Sequence, residues 1–255
     1  MSIHSDQRIC VTGASGGLGR ALALYHARAG VGFSLWGRSA ERLDDTCKAV
    51  AACGAAAQPT CHDLTDATGA VARLLEQDRA APFDLAYFVA GIGDIRPEGA
   101  LVEPAEMVLR LVQVNFAGPA AMAAALAARM AERGHGRIVL IGSAAAHHSL
   151  PFAAGYAGSK AGLARFADGL RLAVAPHGVS VTLAAPGFID TPAARTHTGN
   201  RPFELPVAEA ASRIARAAEL GARRIVTPWP FAVLEAVDRM LPAALRDSML
   251  RRLKP

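Results

Sequence analysis

Tyr156 and Lys160 lie four positions apart in the stretch GYAGSK (155–160), a spacing that stacks two side chains on one face of a helix. An ammonium group about 4 Å from a phenol, at an effective dielectric of about 20, favours the phenolate by roughly 4 kcal/mol, on the order of three pKa units. Such a phenol can give a proton to a carbonyl oxygen and take it back. Ser143, at the end of a predicted strand, could hold the same oxygen. Taken alone, the spacing more often marks an exposed pair on a helix.

Short apolar runs alternate with helix-like segments along the chain, and these elements must position the tyrosine, the lysine and the serine. The predicted strands are 8–12, 32–37, 56–61, 84–90, 136–143, 179–185 and 223–228. The predicted helices lie near 17–29, 39–53, 66–78, 103–132, 156–175 and 206–220. Strands that alternate with helices indicate parallel pairing with helices on both faces. We therefore predict an α/β fold, a Rossmann-type doubly wound parallel sheet of about seven strands, in a single domain spanning residues 1–255.

The C-terminal segment 229–255 is predicted to be an amphipathic helical extension of this domain. Pro242 should divide it into two helices. Its apolar residues recur at helical spacing, and Arg246, Arg251, Arg252 and Lys254 give its end a basic face. We expect a helical hairpin packed on its own domain or on a dimer mate, because amphipathic helices usually face a core. The alternative is a peripheral membrane anchor or a lid that admits lipidic substrates.

The composition excludes several classes of protein. The chain is 52% hydrophobic and 19% charged, which supports a sizeable core. A formal net charge of +5 is too small, and the arginines too dispersed, for a nucleic-acid binder. The Ala-rich stretch 117–131 is interrupted by Arg129 and is predicted not to span a membrane. The four cysteines lack CxxC spacing and no secretory signal precedes them, so we expect a cytoplasmic protein with reduced thiols.

A glycine-rich turn, TGASGGLGR, follows the first predicted strand and opens a helix. Gly13, Gly17 and Gly19 would let the backbone turn tightly, approach a pyrophosphate and pack the helix onto the sheet. The amide groups at the helix start would favour the phosphate charge. The turn lacks the GK[ST] ending of a P-loop. It therefore predicts dinucleotide binding, with an ordinary tight turn as the alternative.

Arg38 follows the second predicted strand in LWGRS, where a dinucleotide-binding fold meets the adenosine ribose. An acidic residue there would bind the ribose hydroxyls of NAD, whereas a guanidinium can hold a 2′-phosphate bidentately. We therefore predict NADP as cofactor, with NADPH preferred over NADH; the alternative is an ordinary surface arginine. Asp63, which ends the third strand, could accept from the adenine amino group or cap the next helix.

In their order along the chain, these segments resemble the classical short-chain dehydrogenase/reductase family. The resemblance includes AAPGFIDTP (184–192), similar to the family's PG motif, and VNFAG (114–118), similar to its helix asparagine. It implies a catalytic tetrad of Asn115, Ser143, Tyr156 and Lys160, in which the asparagine sustains a water chain to the lysine. It also implies a cofactor site made of Gly13, Ser15, Gly17, Leu18, Gly19, Arg38, Asp63, Leu64, Ala90, Gly91, Tyr156, Lys160, Pro186, Gly187, Ile189 and Thr191.

The chain departs from the family pattern in two places. FVAG (88–91) stands where the family usually has NNAG, so two asparagine amides are replaced by Phe88 and Val89. We expect this change to affect the bracing of the sheet rather than the chemistry. The end of the chain also differs from that of many tetrameric members. A homodimer through the helices 103–132 and 156–175 is therefore the oligomer that the resemblance favours.

The predicted substrate side is formed by AAAHHSLPFAAG (144–155) and by a mobile flap, RTHTGNRPFELP (195–206). His147 and His148 are interpreted as shaping the pocket or facing solvent, because no third ligand stands at a matching spacing, and we predict no metal site. Arg195 and Arg201 on the flap are the exceptions among few charges at either wall. This favours an apolar or acyl-type carbonyl substrate.

The resulting hypothesis is an NADP(H)-dependent oxidoreductase that interconverts a ketone and a secondary alcohol by hydride transfer, with Tyr156 as proton donor and acceptor. An epimerase or dehydratase on a related fold is disfavoured, because the chain after the PG motif is short for a nucleotide-sugar domain. The other alternative is a catalytically idle dinucleotide-binding sensor or scaffold, for which the FVAG stretch is the only support.

Overall fold

The computed structural model of the protein describes residues 7–93, 95–196 and 200–251. Its main sheet has seven parallel strands, which run in the order β3-β2-β1-β4-β5-β6-β9. These strands are β1 Gln7–Thr12, β2 Val31–Gly37, β3 Ala56–Cys61, β4 Leu85–Phe88, β5 Gly136–Ile141, β6 Val179–Pro186 and β9 Arg224–Thr227. Two short strands, β7 Ile189–Asp190 and β8 Leu205–Pro206, pair separately. The strand order reverses direction between β1 and β4, which is where ligands bind in doubly wound sheets.

Helices cover both faces of the sheet, as predicted. They are α1 Gly17–His26, α2 Ala40–Ala51, α3 Ala67–Ala80, α4 Ala105–Val112, α5 Gly118–Arg133, α6 Ala154–Val174, α7 Val207–Glu219, α8 Pro230–Met240 and α9 Ala243–Leu250. One hydrophobic core joins the sheet to α1, α2 and α7 through side chains such as Leu22 and Ile214. A second core on the opposite face joins it to α3, α5 and α6 through Leu74, Leu126 and Leu163. The predicted doubly wound α/β fold is confirmed.

The predicted helix 103–132 is interrupted at its centre. Residues 113–117 form a π-helical turn between α4 and α5, closed by the Gly118 amide that donates to the carbonyl of Gln113. The whole run Ala105–Arg133 is long and apolar enough to cross a membrane by length and composition, but half of its most apolar window is buried in the protein. Buried Asp78 on α3 accepts hydrogen bonds from Arg129 and Arg133 on α5. The run is thereby tied into the layer of helices beneath the sheet.

The predicted break at Pro242 is confirmed, since α8 ends at Met240 and α9 begins at Ala243. α8 packs against β9 and against the turn 144–147 of its own chain. Its outer face leaves Trp229, Val233, Val237 and Met240 exposed. Packing on the same chain agrees with the first alternative for this extension. Membrane contact stays a prediction, and its basic residues Arg252 and Lys254 lie outside the described residues.

Candidate active site

A cleft of about 1120 Å³ opens at the carboxyl ends of the strands, across the point where the strand order reverses. Every residue of the predicted cofactor site lines it, together with Ser143. The cofactor residues come from the glycine turn, the ends of β2, β3 and β4, the start of α6, and the PG turn after β6: Gly13, Ser15, Gly17, Leu18, Gly19, Arg38, Asp63, Leu64, Ala90, Gly91, Tyr156, Lys160, Pro186, Gly187, Ile189 and Thr191. Distant segments of the chain therefore meet at one site.

The glycine turn is shaped by close backbone contacts that exclude side chains. Gly13 has a φ of +69°, and a Cβ on it would lie 2.9 Å from the Ala90 nitrogen. A Cβ on Gly19 would lie 2.3 Å from the Gly13 carbonyl oxygen. α1 begins directly after this turn, and no side chain of its N-cap residue Gly16 satisfies the first amides. Free amides at a helix start, on a floor without side chains, form a cradle that fits a pyrophosphate.

The adenosine end of the cleft carries the two predicted side chains, Arg38 and Asp63. Asp63 accepts a hydrogen bond from the Thr65 amide at 3.0 Å, and this contact holds the pKa of the Asp63 carboxyl below its usual range. The helix cap considered for Asp63 belongs instead to Asp66, whose side chain accepts from the Gly69 amide at 2.9 Å. Asp63 thus lines the cleft and does not cap α3, and its contact with the adenine amino group stays a prediction.

Arg42 also lines this end of the cleft, and the sequence analysis missed it. It lies in the first turn of α2, which begins at Ala40, two residues after Arg38. The signal that could have found it is its position at the start of the helix that follows the second strand. Two guanidinium groups, rather than one, therefore stand where the ribose of a dinucleotide would lie.

Ser143 lies two residues beyond the end of β5, which stops at Ile141 rather than at the predicted residue 143. It caps the short 3₁₀ turn 144–147, and its Oγ accepts from the Ala145 amide at 3.1 Å. The Ser143 hydroxyl is near enough to the Tyr156 phenol to lower the pKa of that phenol in part. The serine and the tyrosine are thus brought together at one wall of the cleft.

The pKa of the Tyr156 phenol is raised, contrary to the prediction from its spacing to Lys160. Burial raises this pKa because it disfavours the phenolate, and the nearby Ser143 side chain lowers it only in part. The Lys160 ammonium group donates to the Ile141 carbonyl at 2.9 Å. Burial also lowers the pKa of Lys160, to about 8. Both residues line the cleft, but the expected lowering of the tyrosine pKa by Lys160 does not occur, because the Lys160 ammonium group donates to Ile141 and burial raises the Tyr156 pKa.

Asn115 lies in the π turn and is fully buried behind the cleft rather than on its wall. Its Oδ1 accepts from the Ile92 amide at 2.8 Å, and its Nδ2 donates to the Ile92 carbonyl at 2.9 Å. A Cβ on Gly91 would lie 3.1 Å from Asn115 Oδ1 and 3.2 Å from Lys160 Nζ. Asn115 therefore clamps the loop after β4 beside the lysine ammonium group.

The segment FVAG is braced by Thr12, a residue that the sequence analysis did not single out. The Thr12 hydroxyl accepts hydrogen bonds from the Val89 amide at 2.9 Å and from the Ala90 amide at 3.2 Å. Phe88 is buried in the core. The Thr12 side chain, at the end of β1, thus holds the loop after β4, where this chain lacks the two asparagine amides of the NNAG pattern. The sequence could have indicated Thr12 by its position directly before Gly13 of the glycine turn.

The charged residues of the predicted substrate side are paired. Arg195 donates to Asp190 at 2.7 Å, and Arg201 lies 2.8 Å from Glu204. Residues 197–199 of the predicted flap lie outside the described residues. The neighbouring histidines, His147 and His148, contact acidic residues of α8, and their side chains are only 15% and 18% exposed. Neither histidine lines the cleft directly, and both side chains are directed toward α8 rather than toward solvent.

Comparison with known proteins agrees with this geometry. A family model described as short chain dehydrogenase matches residues 7–201. The chain belongs to the short-chain dehydrogenase family. It is 34% identical to an uncharacterized oxidoreductase of Myxococcus xanthus over 255 residues, which span 100% of both chains. A putative ketoacyl reductase of Streptomyces coelicolor is 32% identical and aligns over 92% of this chain and 91% of its own.

Among solved structures, a short-chain dehydrogenase from Sphingobium yanoikuyae in complex with NADPH superposes with a TM-score of 0.80. It is 25% identical and covers 97% of this chain and 96% of its own. Membership of the family makes the protein an oxidoreductase that uses a nicotinamide dinucleotide. The side-chain-free cradle and the free amides of α1 fit the pyrophosphate of such a cofactor.

Proposed function

We propose that the protein is an NADPH-dependent oxidoreductase that interconverts a ketone and a secondary alcohol. One observation carries this proposal. Ser143, Tyr156 and Lys160 line the same cleft as the glycine turn, so a dinucleotide bound on the turn shares a chamber with a proton donor. The buried Asn115 clamp holds the loop between them.

The cofactor preference rests on the adenosine end of the cleft. Arg38 and Arg42 line it, and a pair of guanidinium groups suits the charge of a 2′-phosphate. The similar structure from Sphingobium yanoikuyae holds NADPH, which supports the same preference. Gly13, Gly17 and Gly19 would hold the pyrophosphate, and Pro186, Gly187 and Thr191 would hold the nicotinamide end.

When bound, the nicotinamide ring exchanges a hydride with the carbonyl carbon. Ser143 would orient the carbonyl oxygen with its hydroxyl, and Tyr156 would donate a proton to that oxygen. Because burial raises its pKa, the Tyr156 phenol keeps its proton at neutral pH, which suits reduction. The Lys160 ammonium group, with a pKa of about 8, is charged under the same conditions and favours negative charge nearby.

We infer an apolar or acyl-type substrate. In the described part of the flap, Arg195 is paired with Asp190 and Arg201 with Glu204, so neither arginine offers an unpaired charge to the substrate. Next to the PG turn, the Phe231 ring packs edge-on against Phe188 and Phe203, with centroids 6.0 and 6.1 Å apart. The resemblance to a putative ketoacyl reductase points in the same direction.

We further infer a homodimer through the outer surfaces of α4 and α6. Leu109 and Val112 on α4 and Leu172 on α6 are exposed, and large apolar residues on neighbouring helices are typical of subunit contacts. Analytical ultracentrifugation tests this point directly, since a monomer at micromolar concentration would contradict it.

Parallel fluorescence titrations with NADPH and NADH test the cofactor, and a panel of carbonyl compounds from short ketones to long acyl chains then tests turnover. We expect tighter binding of NADPH and turnover of the apolar ketones. Binding without turnover of any compound would favour the idle sensor. If neither nucleotide binds, the proposal is wrong.

A further inference from the structure

α8 turns its acidic residues toward the protein, whereas most of its large apolar residues face outward. Phe231, Glu235 and Asp238 lie on the inner face at i, i+4 and i+7, and the Glu235 residue is only 5% exposed. A surface helix usually shows the opposite arrangement. The inward orientation of these carboxylates therefore requires partners, because burial of an unpaired ionised carboxylate costs free energy.

The pairing connects α8, β9 and the turn 144–147 through a triangle of three side chains, those of Glu235, Arg224 and His147. Arg224 on β9 donates two hydrogen bonds to the Glu235 carboxylate. A nitrogen of the same guanidinium lies 2.7 Å from His147 Nε2, and His147 Nδ1 lies 3.3 Å from Glu235 Oε1. His148 adds a contact of 3.7 Å to Asp238. The end of the turn 144–147 is thus attached to α8 and β9.

The chemistry of the triangle assigns the protons on His147. A guanidinium group can only donate, so Nε2 must accept and the ring proton must lie on Nδ1. That proton faces the Glu235 carboxylate. The imidazole therefore lies between the arginine and the glutamate, with Nε2 on the guanidinium and Nδ1 facing the carboxylate, and these two contacts fix the orientation of its ring.

The same turn holds Ser143. Its Oγ accepts from the Ala145 amide, its carbonyl accepts from the Ala146 amide at 3.2 Å, and the turn ends at His147. A rotation of His147 away from α8 would therefore move the amide that fixes the serine hydroxyl. The anchored histidine lies four positions after the serine whose side chain acts on the pKa of Tyr156.

We propose that Glu235 is a positioning residue, which holds the Ser143 hydroxyl in place through His147 and so makes the C-terminal helix part of the active site. The expected effect on kcat rests on the proposed function. The claim that Glu235 holds the turn through His147 does not depend on turnover. Glu235 lies outside residues 7–201, the part of the chain that the family model matches.

The first test measures hydrogen exchange of the peptide 142–150 by mass spectrometry, without any substrate. Glu235→Gln removes the charge that holds the triangle, and His147→Phe removes the link while it keeps the Arg224–Glu235 pair. We expect the amides of residues 145–148 to exchange at least about tenfold faster in both variants, because their hydrogen bonds open more often. Unchanged exchange in both variants would overturn the proposal.

Glu209→Gln is the matched control. Glu209 also pairs with an arginine, Arg213, at 2.6 Å, but this pair lies on α7 and contains no residue of the turn. The control should leave exchange in the peptide 142–150 at the wild-type rate. Equal acceleration in the control would mean that any lost ion pair loosens the turn, and would contradict a specific role for Glu235.

The kinetic test compares the two variants with the wild type on a ketone that the wild type reduces. We expect kcat to fall between about tenfold and hundredfold, the range for a misplaced catalytic group, while the Kd for NADPH stays within about twofold. In a Ser143→Ala background, Glu235→Gln should slow turnover no further. Additive losses would overturn the proposal. If the wild type reduces no ketone, the proposed function fails while hydrogen exchange still decides this inference.

Discussion

The two ends of the cleft are built in opposite ways. The cofactor end is shaped by missing side chains, because a Cβ on Gly13 or Gly19 would collide with backbone atoms. The catalytic end is shaped by buried polar side chains, with Asn115 and Lys160 held by backbone groups of distant loops. The first end needs only a local turn, whereas the second needs the whole fold. Mutations at the cofactor end should therefore mainly change cofactor binding, and mutations at the catalytic end should mainly change the rate of the reaction.

Tyr156→Phe should have the largest effect. Removing the phenol hydroxyl deletes the proton donor, which is worth about 10²- to 10⁴-fold in rate, so kcat should fall on the order of 10³-fold. The Kd for NADPH should stay nearly unchanged. Stopped-flow kinetics and fluorescence titration measure the two quantities. A variant that binds NADPH poorly but still turns over would reverse the assignment of the two ends.

Arg38→Asp should change the ratio of NADPH to NADH affinity by about 100-fold. Loss of charged hydrogen bonds to the 2′-phosphate weakens NADPH binding, and the new carboxylate can bind the ribose hydroxyls of NADH. Arg73→Asp is the control, since this exposed residue of α3 makes the same change in net charge. An unchanged ratio in Arg38→Asp would assign the preference to Arg42 alone.

Gly19→Ala should weaken cofactor binding and stability together. Its Cβ would lie 2.3 Å from the Gly13 carbonyl oxygen, so the turn must shift. Overpacking of this kind reduces the free energy of unfolding by about 1–3 kcal/mol. Gly169→Ala on α6 meets no atom within 4 Å and should not destabilise the protein. Equal melting temperatures for the two variants would show that the turn accommodates a side chain.

Lys160→Met should stabilise the protein at pH 7 by about 2 kcal/mol while it removes activity. Burial lowers the pKa of Lys160 from 10.5 to about 8, so below pH 8 the folded protein carries a buried charge at a free-energy penalty. As the pH rises from about 8 to 10.5, the folded protein loses this proton and the penalty disappears. The advantage of the variant should therefore shrink over this range in urea unfolding experiments. A difference in unfolding free energy between variant and wild type that stays constant from pH 8 to 10.5 would contradict the prediction.

The difference between the two ends also explains what could be predicted from sequence. The glycine turn and Arg38 are local signals, and the strand order follows from the alternation of elements. The raised pKa of Tyr156 could not be predicted, because it follows from burial in the folded protein, which the spacing to Lys160 does not show. The π turn at Asn115 and the contact of His147 with α8 depend on residues far away in the chain. Contacts of this kind produce no periodic pattern in the sequence from which they could be predicted.

The π turn at residues 113–117 also limits how this part of the chain can change in length. Each residue of an α-helix turns it by about 100°, and a π turn holds one residue more than an α turn. A single deletion between α4 and α5 would rotate the rest of the helix, carrying Leu126 and Met130 out of the core and Arg129 away from Asp78. If the π turn absorbed the deletion instead, Asn115 would leave Ile92. Substitutions can accumulate on the exposed positions of this segment, but its number of residues has to be inherited unchanged.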